Sequence, residues 1–323
     1  QPAPGGGFVA YPAADSVTFF DVEAETIGDA LERGTGFRPP HGGGSWHPEG
    51  DRYALATGGE IRIWDAHTGE LIGKGRPSGP NVNAIDYSTD GSRLVIGELS
   101  GKVTMLDPTT LTAVGHPVTL DEPVRSVSAG PDNHTAFALT GQPATDFWVG
   151  STTGWALVDL DSGTILEQGA RGIDGFVVAF SPDGQHAAVG GLDGGVLVLD
   201  LETGEPLRPP VFSHKATVLS ITYSTDGSQL VTSAADSSAA LWNGETGLLV
   251  ARVLTPQRYA SAAFIAGRES VLIATEGEGP IYEWHTSVEY ARHFACRVAG
   301  RDFTEAEWAE VFADRPYQQV CPS

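Results

Sequence analysis

Phe180-Ser181-Pro182-Asp183-Gly184 recurs as Tyr223-Ser224-Thr225-Asp226-Gly227 and as Tyr87-Ser88-Thr89-Asp90-Gly91, and more loosely as Trp46-His47-Pro48-Glu49-Gly50. In each copy an apolar run ends on an aromatic residue and breaks at a turn built from an acid and a glycine. Two more short runs follow, and the second of them closes on an anchor: Asp21, Asp65, Asp107, Asp159, Asp200, Asn243 or His285. Successive anchors are 44, 42, 52, 41, 43 and 42 residues apart. A period of about 40–45 residues carrying four short strands is that of a propeller blade.

The unit that ends at Asp200 reads most plainly. Alternating apolar residues give strand a at Val177–Phe180, strand b at Ala187–Gly190 and strand c at Val196–Leu199. Pro182-Asp183-Gly184 turns a into b, Asp193-Gly194-Gly195 turns b into c, and Asp200-Leu201-Glu202-Thr203-Gly204 turns c towards d. The last of these returns as Asp65 to Gly69, Asp159 to Gly163 and Asn243 to Gly247. An Asp or Asn there is expected because its side chain can bond the backbone of its own turn. The same acids are weak metal-ligand candidates, since they recur with the repeat and never gather in one loop. No metal and no cofactor is expected.

The chain has 323 residues, 41 of them acidic and 19 basic, for a net charge of −22. Phosphate backbones and anionic headgroups are repelled by such a surface, which argues against direct nucleic-acid or membrane contact. No apolar run approaches the ~18 residues of a membrane span. The sequence opens on Gln1 rather than Met, which reads as a processed product or a fragment of something longer.

These units resemble WD40 repeats. Trp64-Asp65 is the one literal Trp-Asp pair, Trp242-Asn243 and Trp284-His285 are variants, and the Gly-His signature is nearly missing: Gly115-His116 falls inside a d strand. The resemblance implies a seven-bladed β-propeller, all-β and built of four-stranded antiparallel blades, within residues 1–286. Two units depart from the pattern. In the first, Phe8–Tyr11 and Val17–Asp21 read as strands b and c with little left for a, so the closing strand is open. In the fourth, the glycine register favours Phe147-Trp148-Val149-Gly150 as strand b, with an insertion at about Asn133–Asp146; the alternative takes Ala136–Leu139 as strand b and puts the insertion after it.

Beyond His285 the period becomes helical. Val288, Ala291, Ala295 and Val298 share one face up to Gly300, and Thr304 with Glu307 forms a capping box ahead of Trp308, Val311 and Phe312. Residues 287–323 are thus expected to form a two-helix tail packed on the propeller. Cys296-Arg297-Val298-Ala299-Gly300-Arg301, Thr304 to Trp308, Pro316-Tyr317 and Cys321 resemble the endings of actinobacterial multidomain regulators, in which a STAND-type signalling ATPase precedes a WD40 propeller. That resemblance implies the sensor or interaction end of such a regulator, although no phosphate loop occurs in this chain. Cys296 and Cys321 are a possible disulfide; left as thiols they fit a cytoplasmic protein, and joined they indicate an extracytoplasmic one. With His293 they lack the fourth ligand of a zinc site.

His214, Ser233, Asp236 and Trp242 occupy the positions of the WD40 structural tetrad. Their composition echoes a hydrolase triad, but no exposed nucleophile elbow of the Gly-x-Ser-x-Gly kind is present, so a structural role is expected and no catalytic residue is assigned. Arg76, Arg125, Arg171, Lys215 and Arg258 lie in or beside d–a connections, where they are candidates to hold an acidic or phosphorylated segment. Tyr259 and Trp148 are the candidate aromatic anchors. The expected function is a non-enzymatic protein- or peptide-binding propeller, monomeric, within a larger bacterial signalling regulator. The alternative is a small-molecule or glycan receptor using the channel or a top-face pocket.

Overall fold

The computed structural model describes residues 2–3, 7–12, 16–32, 44–57, 59–76, 82–141, 154–170, 174–256, 261–265, 267–275, 280–312 and 315–321. These form seven antiparallel sheets, one per repeat unit, followed by two short helices. Blade two comprises Gly44–Trp46, Arg52–Thr57, Glu60–Asp65 and Leu71–Gly75. Blade three comprises Val82–Tyr87, Leu94–Glu98, Lys102–Leu106 and Ala113–Thr119. Blade four has Val124–Ala129, Thr135–Thr140, Gly154–Asp159 and Thr164–Ala170. Blade five has Gly175–Phe180, His186–Gly191, Gly195–Asp200 and Val211–Phe212. Blade six has Val218–Tyr223, Gln229–Ala234, Ser238–Asn243 and Leu249–Leu254.

The end blades differ. In blade one, Phe8–Pro12 pairs with Ser16–Asp21, which also pairs with Thr26–Ile27 and Leu31–Glu32. A single bridge from Pro2 to Val9 occupies the strand a position. Blade seven has three strands, Ser261–Phe264, Ser270–Ala274 and Ile281–His285. Each terminus therefore stays in its own blade among the described residues.

First strands of successive blades, from two to seven, touch one another and so face the axis. The last strands lie outermost, with Leu71, Leu166, Phe212 and Val250 exposed. Alternation sends every second side chain of strands b and c into one interblade space and the rest into the next. Ala188 and Val198, for example, pack between blades five and six, while Ala187, Val189, Leu197 and Leu199 pack between four and five. Six clusters fill the spaces from blade one through blade seven; among the described residues no such cluster joins seven to one.

Strand b of blade four is Thr135–Thr140, which corrects the favoured alignment of the long unit. Ala136 to Leu139 are fully buried and pair on both sides, with Ala129 to Ser126 and with Val158 to Trp155. Burial on both faces outweighs the glycine register that pointed to Phe147–Gly150, a stretch outside the described residues. The extra length thus lies after strand b.

The expected turns are present. Asp65 Oδ1 accepts from the N–H groups of His67 and Thr68 at 2.9 and 2.8 Å. Asp21, Asp107, Asp159 and Asp200 repeat that geometry, and Asn243 accepts from Thr246 N–H. In the a–b turns Asp90, Asp132, Asp183 and Asp226 accept backbone N–H groups in the same way. The N–H of Thr110 holds the Asp107 carboxyl below its usual range, and that of Thr203 does the same for Asp200.

The tail forms helix α1, Val288–Ala299, and helix α2, Glu305–Val311. Gly300 ends α1 at φ 69°, and Thr304 with Glu307 closes both halves of the capping box. Cys296 and Cys321 are disulfide-bonded. Trp308 is buried against Phe303, Phe312 and Tyr317, with its N–H donating to Arg315 O at 3.0 Å. The tail thus carries a core of its own. Helix α1 buries no side chain and leaves Val288 and Val298 exposed, while Tyr290 stacks on His285 at the end of blade seven.

Candidate functional site

Blade six holds a buried polar chain that runs from its d–a loop to strand c. Trp242 Nε1 donates to Thr232 Oγ1 at 2.9 Å, and Thr232 Oγ1 lies 2.8 Å from His214 Nε2. His214 Nδ1 meets Ser238 Oγ at 2.6 Å, and Ser238 donates to Asp236 Oδ1. Asp236 also accepts from Lys215 N at 2.7 Å and from Arg252 at 2.9 Å. Desolvation pushes the His214 imidazole down to about 4, against the pull of Asp236.

This corrects one member of the expected tetrad. Ser233 is not in the chain; Thr232 is. Leu230 pairs with Trp242, so Thr232, two residues along, shares the indole's face, and Ser233 points to the other side. There Ser233 Oγ meets Ser220 Oγ at 2.6 Å. Ser238, which sequence reasoning missed, relays between His214 and Asp236. His214, Thr232 and Ser238 are sealed from solvent, at 4%, 0% and 0% exposure, so no substrate reaches the hydroxyls. The arrangement fastens the d–a loop to the blade.

Around the axis, a second polar series sits at the penultimate residue of strand a. Tyr87 N donates to Ser45 Oγ at 3.1 Å, Ala129 N to Asp86 Oδ2 at 3.0 Å, and Phe180 N to Ser128 Oγ at 3.2 Å. Ser45 Oγ further donates to Asp86 Oδ1 at 2.8 Å. Each side chain thus ties its inner strand to the next blade. Asp86 is half-buried as a residue, but its carboxylate is enclosed, and desolvation raises it to about 6 despite these bonds.

The expected cation ring is partly within view. Arg171, Arg258, Tyr259 and Trp148 lie outside the described residues. Arg76 is exposed, with its Nε 3.8 Å from Glu60, a carboxylate that also meets Arg62 at 2.6 Å and Lys74 at 3.6 Å. Lys215 is exposed, and its ammonium has no ion pair among the described residues. Arg125 is different: it is half-buried, burial pushes its guanidinium down, and Asp174 of the next blade supplies the nearby charge. Of the expected cations, Arg76 and Lys215 are therefore the described ones exposed to a partner, Arg76 from beside Glu60. Of acid–histidine groupings, His47, Glu49 and Asp51 lie close together in one a–b turn, with His47 Nδ1 3.2 Å from Asp51.

Fold and site together describe a seven-bladed β-propeller with a buried polar chain in blade six, and parts of it are similar to WD40 repeats. The model of the family WD domain, G-beta repeat matches residues 175–200 and 207–243, within blades five and six. WD repeat-containing protein 1 of Xenopus tropicalis is 24% identical over 265 residues, 74% of this chain and 39% of its own length. Angio-associated migratory cell protein of Homo sapiens is 26% identical over 235 residues, 69% of this chain and 50% of its own. THO complex subunit 3 of Arabidopsis thaliana is 25% identical over 211 residues, 64% of this chain and 63% of its own. The chain thus spans less than two thirds of these relatives. A chain of Kuenenia stuttgartiensis hydrazine synthase superposes with a TM-score of 0.69 over 89% of this chain and 94% of that one. At 16% identity that likeness is one of fold alone.

Proposed function

We propose that this chain is a non-catalytic protein-interaction propeller, the sensing or docking module of a larger bacterial signalling regulator. The observation that carries the interaction reading is a rigid ring of blades that gathers its loops at two ends. Because a, b, c and d alternate in direction, the a–b and c–d turns lie at one end of every blade and the b–c and d–a loops at the other. The first end carries the turn aspartates. The second carries the exposed cations Arg76 and Lys215 among loop acids such as Asp121, Asp193 and Asp236, on a rigid ring in a chain of net charge −22. Such a face suits an acidic protein segment, and loops on a fixed scaffold vary without loss of fold. The WD-repeat relatives, one of them named as a subunit of a complex, support the interaction class. The regulator context rests on the tail motif from Cys296 to Cys321. The paired cysteines favour an oxidising compartment, checked by whether the protein isolated from its host carries the bond.

Affinity capture from host lysate with the intact chain and with an Arg76→Glu/Lys215→Glu variant tests the site. A specific partner retained by the first and reduced at least tenfold by the second is expected. Equal capture by both, with equal stability, removes this face from the proposal.

A further inference from the structure

The a–b turn of blade two is built unlike its counterparts. In blades three, five and six the turn opens on a serine whose hydroxyl donates to the aspartate two residues on: Ser88 to Asp90, Ser181 to Asp183 and Ser224 to Asp226. Blade two has His47 in place of the serine and Glu49 in place of the aspartate, and a second acid, Asp51, follows. The Gly50 N–H donates to His47 O at 2.8 Å and closes the turn, which brings the imidazole and both carboxylates together. One ligand atom from each lies within 4.8 Å of the other two.

Two of the three donors are inside the protein and face one point. His47 is 7% exposed. Its Nε2 lies against Gly91 of blade three, where a Cβ would collide with it, so Nδ1 is the nitrogen presented to the turn. The Glu49 N–H donates to Nδ1 at 3.3 Å, which marks Nδ1 as the lone-pair nitrogen of the ring. Asp51 Oδ1 stands 3.2 Å from Nδ1, sealed from solvent and without a hydrogen-bond partner. Oδ2 of the same carboxylate accepts from Arg52 Nε at 3.2 Å, which holds Oδ1 towards the imidazole. Two lone pairs thus face each other, an arrangement that repels until a cation shares them, and a buried acceptor left unpaired carries its full desolvation cost. Ligands held on one zinc-sized ion by bonds of about 2.0–2.2 Å lie about 3.0–3.5 Å apart, which brackets the spacing here. Glu49 Oε2 is 3.9 Å from Nδ1 on an exposed side chain that can close the remaining distance.

We propose that His47, Glu49 and Asp51 form a binding site for a divalent transition-metal cation, zinc being the ion that suits one imidazole and two carboxylates. Three protein ligands leave an open position for water. The ion fastens the turn of blade two where it packs on blade three, the His47 and Tyr87 rings meeting edge to face at 5.3 Å. This site goes beyond the interaction reading and does not depend on it.

The test adds zinc chloride to the intact, chelator-stripped chain, reads binding by calorimetry and follows the ring nitrogens of nitrogen-15-labelled histidine by NMR. The expected result is one saturable site, a shift of the His47 Nδ1 resonance (assigned by its loss in His47→Gln) and a melting temperature raised by zinc. Glu49→Gln and Asp51→Asn should each weaken zinc binding at least tenfold. His293→Gln, which removes the exposed pair of His293 with Glu289 on the tail, should leave it unchanged. Glu49 is exposed, so its variant folds even where Asp51→Asn does not. No saturable site, zinc binding that leaves His47 Nδ1 unmoved, or unchanged affinity in Glu49→Gln overturns the proposal. So does an Nδ1 that carries a proton donated to Asp51 and takes up no zinc.

Discussion

His214 Nε2 and Thr232 Oγ1 lie 2.8 Å apart in the sealed interior of blade six, and this one contact sets the protonation of the whole chain. Thr232 accepts the indole N–H of Trp242, so its own proton is free to go to Nε2. Nδ1 then carries the ring proton and donates to Ser238, whose hydroxyl donates to Asp236. Every donor points towards the carboxylate and every group is satisfied with a neutral imidazole. Satisfied buried networks rigidify the structure that holds them.

Thr232→Val should therefore leave both the indole N–H and Nε2 of the imidazole without a partner, at a cost of about 1–3 kcal/mol in urea unfolding. The Trp242 indole resonance should move in Thr232→Val and stay in place in Ser233→Ala. Movement in the serine variant alone would restore the tetrad read from sequence.

Acid should act on blade six with a definite sign. Burial pushes the His214 imidazole down from its usual 6.5 to about 4 in the fold, so the unfolded chain binds the proton first. Stability from this residue is complete above about pH 6.5 and declines as pH falls towards 4, by about 3 kcal/mol in all. Asp86 works oppositely: raised from 3.8 to about 6, it makes the fold lose stability as pH rises from about 4 to about 6. The two partly cancel. An Asp86→Asn variant should thus fall more steeply with acid than the parent, and His214→Gln less steeply, in chemical denaturation between pH 4 and 7.

Gly91 and Gly267 have the same left-handed φ of +72° in equivalent a–b turns. A Cβ at Gly91 would come within 2.0 Å of His47 Nε2 on the neighbouring blade, whereas one at Gly267 meets nothing within 4 Å. Gly267→Ala should cost roughly 1–2 kcal/mol, the strain of that conformation. Gly91→Ala should cost more, and the difference read from thermal or urea unfolding isolates the contact between blades two and three.

Reduction should loosen the tail and spare the ring. The bond spans 25 positions, a loop worth roughly 3 kcal/mol in the chain-entropy model. With reductant, or in Cys321→Ser, amides of Val320 and Cys321, which donate to Asp302, should exchange faster, while strand amides of blades two to six stay protected. Equal loosening of the blades would mean that the tail braces the propeller.

Where a feature repeats, the sequence displays it. The anchors from Asp21 to His285 each mark the end of strand c, and Gly300 and Thr304 mark helix ends through local chemistry alone. Blade four was misaligned because one glycine register competes poorly with two-sided burial, which only neighbouring strands reveal. Thr232 and Ser233 are adjacent hydroxyls, and only the pairing of Leu230 with Trp242 tells which one faces the indole. That choice was within reach by counting in twos back from Trp242. The penultimate polar residues Ser45, Asp86 and Ser128 also recur visibly, but their partners are backbone groups more than 40 positions away.

The aspartates that fasten the turns have an electrical effect that reaches beyond the turns. Asp21, Asp65, Asp90, Asp107, Asp132, Asp159, Asp183, Asp200 and Asp226 all bind backbone N–H groups at the same end of their blades. Neutralising them would unfasten the very loops they close, so this negative charge comes with the architecture and is not an optional coating. It is a standing share of the chain's net charge of −22, felt by a charged visitor most strongly at low ionic strength.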